Sequence, residues 1–155
     1  MPVEKLKNFL DEKKIKYVSI KHSESFTAQE IAAVAHVPGK ELAKTVILDI
    51  DGKMSMAVVP ASYHVDFKLL EKEVKATRVS LATEEEFKEK FPDCELGAMP
   101  PFGNLYDMDV YVSKSLAEDE EIFFNAGNHT ELIRINYKDF EKLVHPKVLK
   151  FSEHN

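Results

Sequence analysis

Residues 42–59 read LAKTVILDIDGKMSMAVV, two apolar runs divided by Asp51-Gly52-Lys53. Asp-Gly between apolar segments is a strong local hairpin signal, because a tight two-residue turn needs positive φ at both central positions. Residues 42–50 and 54–59 are therefore predicted to be antiparallel strands. One residue breaks the apolar character of the first strand: Lys44.

Toward the N-terminus, Leu6, Phe9 and Leu10 recur at helical spacing and predict an amphipathic helix over 3–14, with a strand over 15–21 after it. Thr27-Ala28-Gln29-Glu30 has the spacing of a capping box, opening a helix over 31–37 that Pro38-Gly39 ends. Toward the C-terminus the pattern predicts a helix over 65–74 and a short strand over 75–80. A second capping box, Thr83-Glu84-Glu85-Glu86, opens a helix running toward Phe91 and Pro92. Strands follow over 107–112, 121–125 and 131–136, with a closing helix over 137–143. The sum is an α+β fold built on a mostly antiparallel β-sheet.

The chain has 155 residues, 44% hydrophobic and 31% charged, which fits one domain over 1–155. No stretch approaches the ~20 apolar residues of a membrane span, and residues 1–8 lack the apolar core of a secretory signal, so a cytoplasmic protein is expected. Cys94 is the only cysteine, which excludes an internal disulfide and a thiolate-rich metal site. His36, His64, His145 and His154 show no metal-ligand spacing, and Asp107 with Asp109 lacks further ligands nearby. Walker and dinucleotide fingerprints are absent, as is a serine-glycine elbow. The net charge of −6 argues against wrapping long tracts of phosphate backbone, DNA included. Only Arg78 and Arg134 offer a bidentate fork, so any RNA contact should be small.

Four features invite a chemical reading. Lysine is rarely buried without a partner or a task, so Lys44 within an apolar strand is one; the alternative is that alternation turns it to solvent. The second lies in the stretch 91–106, FPDCELGAMPPFGNLY, with three prolines and two glycines in sixteen residues. There Gly97-Ala98-Met99-Pro100-Pro101-Phe102-Gly103 could hold amides around a developing oxyanion, or be only a stiff surface turn. The third is Asn125-Ala126-Gly127-Asn128-His129-Thr130, a permissive turn in which His129 could donate a hydrogen bond or move a proton. Fourth, His22-Ser23 lies close in sequence to Thr27 and reads, taken alone, as solvated surface.

In succession, the lysine-bearing strand 42–48, the strand 57–60, the loop 97–103 and the late Gly127 turn resemble the YbaK and prolyl-tRNA-synthetase-associated domain family, over roughly 17–143. The resemblance implies a mixed sheet closing toward a barrel, and a free-standing deacylase that hydrolyses in trans the aminoacyl ester of mischarged tRNA. It implies no metal and no cofactor. The residue matching Lys44 would be required for activity, Gly97 would be the second catalytic residue, and Pro100, Pro101, Phe102 and Gly103 would line the pocket with it. Asn125, Gly127 and His129 would face the amino-acid moiety, with His22 and Thr27 completing the substrate-binding set. The partner would be the 3′ acceptor end of aminoacyl-tRNA, with a synthetase such as prolyl-tRNA synthetase as a further one, and no membrane. The wrong amino acid on proline tRNA would be small, such as alanine or cysteine, and His129 resembles the alanine-directed members. An aminoacyl ester is already activated, so positioning and oxyanion stabilisation can suffice without a covalent nucleophile. A non-catalytic module that binds aminoacyl-tRNA or a synthetase is the alternative, with a small-molecule esterase behind it.

Overall fold

A computed structural model describes residues 2–21, 42–92, 94–95, 98–128 and 130–154. The hairpin stands as the sequence predicts: β2 (Ala43–Ile50) and β3 (Lys53–Pro60) pair antiparallel from Ala43↔Pro60 to Ile50↔Lys53. Asp51 (φ 51°) and Gly52 (φ 89°) take the left-handed conformations that a two-residue turn demands. Asp51 also accepts hydrogen bonds from the amides of Thr77 (3.0 Å) and Arg78 (2.8 Å), which ties the turn to the chain entering β5 (Val79–Leu81).

The hairpin forms the middle of a five-stranded sheet of order β5-β2-β3-β6-β9, with β6 at Asp109–Ser113 and β9 at Lys147–Leu149. β5 and β3 flank β2 antiparallel, whereas β3/β6 and β6/β9 pair parallel. A second sheet orders β1 (Tyr17–Lys21), β8 (Glu131–Asn136) and β7 (Glu121–Asn125), all antiparallel, and β4 (Tyr63–Val65) pairs separately with β10 (Ser152–His154). The expected closure toward a barrel is corrected here. Among the described residues the large sheet stays open, with β5 and β9 as its edges, and meets the three-stranded sheet at one isolated parallel bridge, Leu42↔Phe123. The α+β architecture itself is as expected, mixed and mostly antiparallel, with β3/β6 and β6/β9 as the parallel pairings.

Among the described residues the helices are α1 (Pro2–Glu12), α2 (Phe67–Val74), α3 (Glu84–Phe87), α4 (Lys114–Ala117) and α5 (Tyr137–Val144). The helix expected over 65–74 begins at Phe67 because the Asp66 carboxylate accepts the Leu69 amide at 3.0 Å, while Val65 is already paired with Ser152 in a strand. The capping box at Thr83 and Glu86 forms in both directions, at 3.2 and 3.1 Å. Its helix lasts four residues and tightens into a 3₁₀ turn at Lys88–Lys90. The capping box at Thr27, the helix over 31–37 and Pro38-Gly39 lie outside the described residues. Among the described residues no helix is long and apolar enough to cross a membrane.

Alternation along the hairpin feeds two cores. Ala43, Ile47, Met56 and Val58 join Leu6 and Leu10 of α1, Phe124, Ile133 and Phe140 on one side. Leu48, Ala57 and Val59 join Leu70 of α2 and Phe151 on the other. A smaller cluster of Leu42, Phe123 and Leu132 sits at the bridge between the sheets.

Candidate active site

Strand periodicity puts Lys44 on the face shared by Leu42, Val46 and Leu48. It therefore stands between the small cluster at the bridge and the core beneath α2. Directly across the hairpin is the buried Val59. Lys44 is half-buried, and removal from water pulls the pKa of its ammonium below the ordinary lysine value. It makes no ion pair with any described residue. A lysine in an apolar row is costly unless it has a partner or a task.

The bridge brings a second predicted residue into the same region. Leu42 pairs in parallel with Phe123, so Lys44 and Asn125 each lie two residues beyond it on corresponding faces of β2 and β7. The Asn125 Oδ1 is buried and has no hydrogen-bond partner among the described residues. Such an orphaned acceptor costs about 1–3 kcal/mol unless something fills its valence.

Beyond Asn125 the described residues of the β7–β8 turn are held by local hydrogen bonds. The Ala126 amide donates to the Glu131 carbonyl at 3.1 Å, Gly127 takes φ 110°, and Asn128 Oδ1 accepts from the Thr130 amide (3.0 Å) and hydroxyl (3.1 Å). The Gly127 carbonyl in turn accepts the Glu95 amide at 2.9 Å. That bond ties the glycine-proline loop to the late turn, so two segments predicted separately from sequence are joined. Pro100 and Pro101 are buried, and Ala98 folds back on Glu95 through a 3.0 Å bond.

Phe102 and Gly103 are placed differently from the expectation that they line a pocket. Phe102 is fully buried, its ring 6.2 Å from Phe9, 5.3 Å from Phe124 and 5.4 Å from Phe140 between centroids. A Cβ on Gly103 would stand 2.5 Å from both the Met108 carbonyl oxygen and Val110 Cγ2, so glycine is there for close packing. Both residues anchor the end of the loop in the core. His22, Thr27, Gly97 and His129 lie outside the described residues.

One contributor escaped the sequence reading. Glu131, at the start of β8, is 6% exposed, accepts a short hydrogen bond from the Ser19 hydroxyl and pairs with Lys7 at 2.7 Å. Burial works to raise its pKa, but the bonds from Lys7 and Ser19 win and hold the carboxylate below its usual range. It pins α1 and β1 to the base of the Asn125–Thr130 turn. An acid opening the run ELIRIN was the available signal. A cavity of ≈630 Å³ lined by Asp49, Asp51 and Arg78 lies at the opposite end of the hairpin from Lys44 and contains none of these residues.

A desolvated lysine and a carboxamide with an unpaired acceptor thus each lie two residues beyond the bridge that joins the two sheets. The chain belongs to the aminoacyl-tRNA editing domain family, whose model matches residues 22–143. It is 28% identical over 141 residues to the prolyl-tRNA editing protein ProX of Acetoanaerobium sticklandii, covering 87% of this chain and 85% of that one. It is 27% identical over 127 residues to the multifunctional Ser/Thr-tRNA deacylase ProXp-y of Escherichia coli K12, covering 77% and 75% respectively. Among solved structures, a candidate trans-editing enzyme for prolyl tRNA synthetase superposes with a TM-score of 0.84 at 19% identity, over 98% of this chain and 97% of that one. That likeness establishes the shared fold.

Proposed function

We propose that this chain hydrolyses, in trans, the ester of mischarged aminoacyl-tRNA, with proline tRNA carrying a small wrong residue such as alanine or cysteine as its substrate. The observation that carries the reading is the match of residues 22–143 to the editing-domain family, with Lys44 and Asn125 each two residues beyond the bridge between the sheets. A match of 89 residues, at 25% identity, to a proline–tRNA ligase of Bacillus mycoides supports proline tRNA and a synthetase partner. In this mechanism Lys44, as a cation, holds the ester oxygens or the terminal phosphate, and amides of the 97–103 loop face the carbonyl. Asn125 Oδ1 accepts a hydrogen bond from the substrate's α-amino group. Water, or a group of the substrate itself, attacks the carbonyl, and the ribose hydroxyl leaves.

Uncharged proline tRNA is expected to compete with the reaction, the more weakly as salt rises. Indifference to it would assign the activity to small aminoacyl esters instead.

The lysine's role fixes the sign of a pH effect. Its pKa is lowered, so the ammonium deprotonates below the free-lysine value of about 10.4, and a cationic role makes kcat/KM fall on that alkaline limb. After subtraction of spontaneous ester loss, a rise over the same range would make Lys44 a general base. Replacing Asn125 by leucine, similar in volume, removes an unpaired acceptor, so Asn125→Leu should unfold at the same temperature or higher. Its kcat/KM should fall about tenfold, matching one lost hydrogen bond to a charged group. Thermal melts alongside deacylation rates check both halves.

A further inference from the structure

The face of the large sheet that carries Lys44 also carries Ser113, where a polar pocket lies. Lys44 lies opposite Val59, and the parallel pairing of Val58 with Val112 sets Ser113 beside Val59, so Lys44, Val59 and Ser113 form one row across β2, β3 and β6. Residues in register share a face, and two strand spacings separate the Lys44 and Ser113 backbones by about 10 Å.

At Ser113 a cavity of ≈310 Å³ is lined by Ser113, Ser115 and Ser152, by Lys114 and Lys150, and by a single acid, Glu118. The buried Ser113 Oγ lies 2.8 Å from Ser115 Oγ and 2.6 Å from Ser152 Oγ. Three hydroxyls carry three protons and these two contacts use two, so one O–H is left to donate outside the trio. With two lysines against one acid, the lining is locally positive in a chain of net charge −6. Surplus hydroxyl donation beside two ammonium groups is the donor set for a phosphate oxygen.

We infer that this pocket is a phosphate subsite, and that it holds a backbone phosphate of the RNA strand whose esterified 3′ end lies at Lys44. The choice of RNA rests on the proposed deacylase reading and on the shared row and face. The subsite would supply grip on the acceptor strand without touching the bond that breaks.

The test uses the Lys114→Gln/Lys150→Gln double variant, both side chains being exposed, with a thermal melt to verify folding. Inorganic phosphate titrated into the wild-type chain should shift the Ser113, Lys114 and Ser115 amide resonances, and the variant should lose that response. The ratio of kcat/KM for mischarged tRNA to that for a phosphate-free 3′-aminoacyl adenosine should fall roughly tenfold in the variant. The salt slope of uncharged-tRNA binding should drop by about 0.7 for each phosphate that the variant no longer neutralises. Wild-type resonances unmoved by phosphate, with ratio and slope unchanged, overturn the subsite. A phosphate response with ratio and slope unchanged assigns the pocket to free phosphate and overturns the RNA occupant. Were the wild-type chain to hydrolyse no ester, the deacylase reading would fall, while the phosphate titration and the uncharged-tRNA slope would still decide the subsite.

Discussion

Lys44→Ala is expected to abolish hydrolysis of mischarged tRNA and to leave the thermal midpoint within a few degrees of wild type. The side chain is half-buried with its charge partly desolvated, and it pairs with no described acid, so truncation strands no buried partner. The cation at the seam is what disappears. Loss of one preorganised group facing a developing charge typically costs ~10²–10³ in rate. Lys44→Arg should also be poor, since a planar guanidinium cannot occupy the place of a compact ammonium. Single-turnover rates normalised to folded protein separate this from instability, and full activity in Lys44→Ala would remove the lysine from the mechanism.

Phe102→Ala should do the reverse, damaging the fold before the chemistry. Its ring packs against Phe9, Phe124 and Phe140, joining α1, β7 and α5, so truncation opens a cavity among three elements. A phenylalanine-to-alanine change in a core costs about 3–5 kcal/mol, which lowers the midpoint by on the order of 10 °C in a chain of this size. Turnover per folded molecule at low temperature should stay within a few-fold of wild type. A normal melt with failed substrate binding would return Phe102 to the pocket.

Phe102 also shows where reading the sequence stops. An aromatic ring between two prolines and a glycine looks the same whether it faces a ligand or the core, because the rings that bury it lie far away in the chain. Gly103 is the same case, the Met108 carbonyl and Val110 that crowd it lying beyond any local pattern. Signals that are local in the chain were legible. Asp51-Gly52 fixed the hairpin, Thr83 and Glu86 fixed a helix start, and the alternating runs at Glu121–Asn125 and Glu131–Asn136 gave β7 and β8. The three-residue strands β4, β9 and β10 were not legible, since each is set by a distant partner and is too short for a period. The parallel pairing of β3 with β6 is non-local for the same reason, and the barrel came from resemblance alone. At the site, Lys44 stood out as a charge in an apolar strand, whereas its relation to Asn125 needed the Leu42↔Phe123 bridge, which no spacing encodes.

Release of amino acid from proline tRNA charged separately with alanine, cysteine, serine and proline, followed with purified wild-type chain, tests an editing deacylase most directly. Rapid loss of at least one small wrong amino acid is expected, with correctly charged prolyl-tRNA spared and Lys44→Ala inert. Binding of these tRNAs without acceleration of ester loss on any of them would contradict it and leave a non-catalytic binding module.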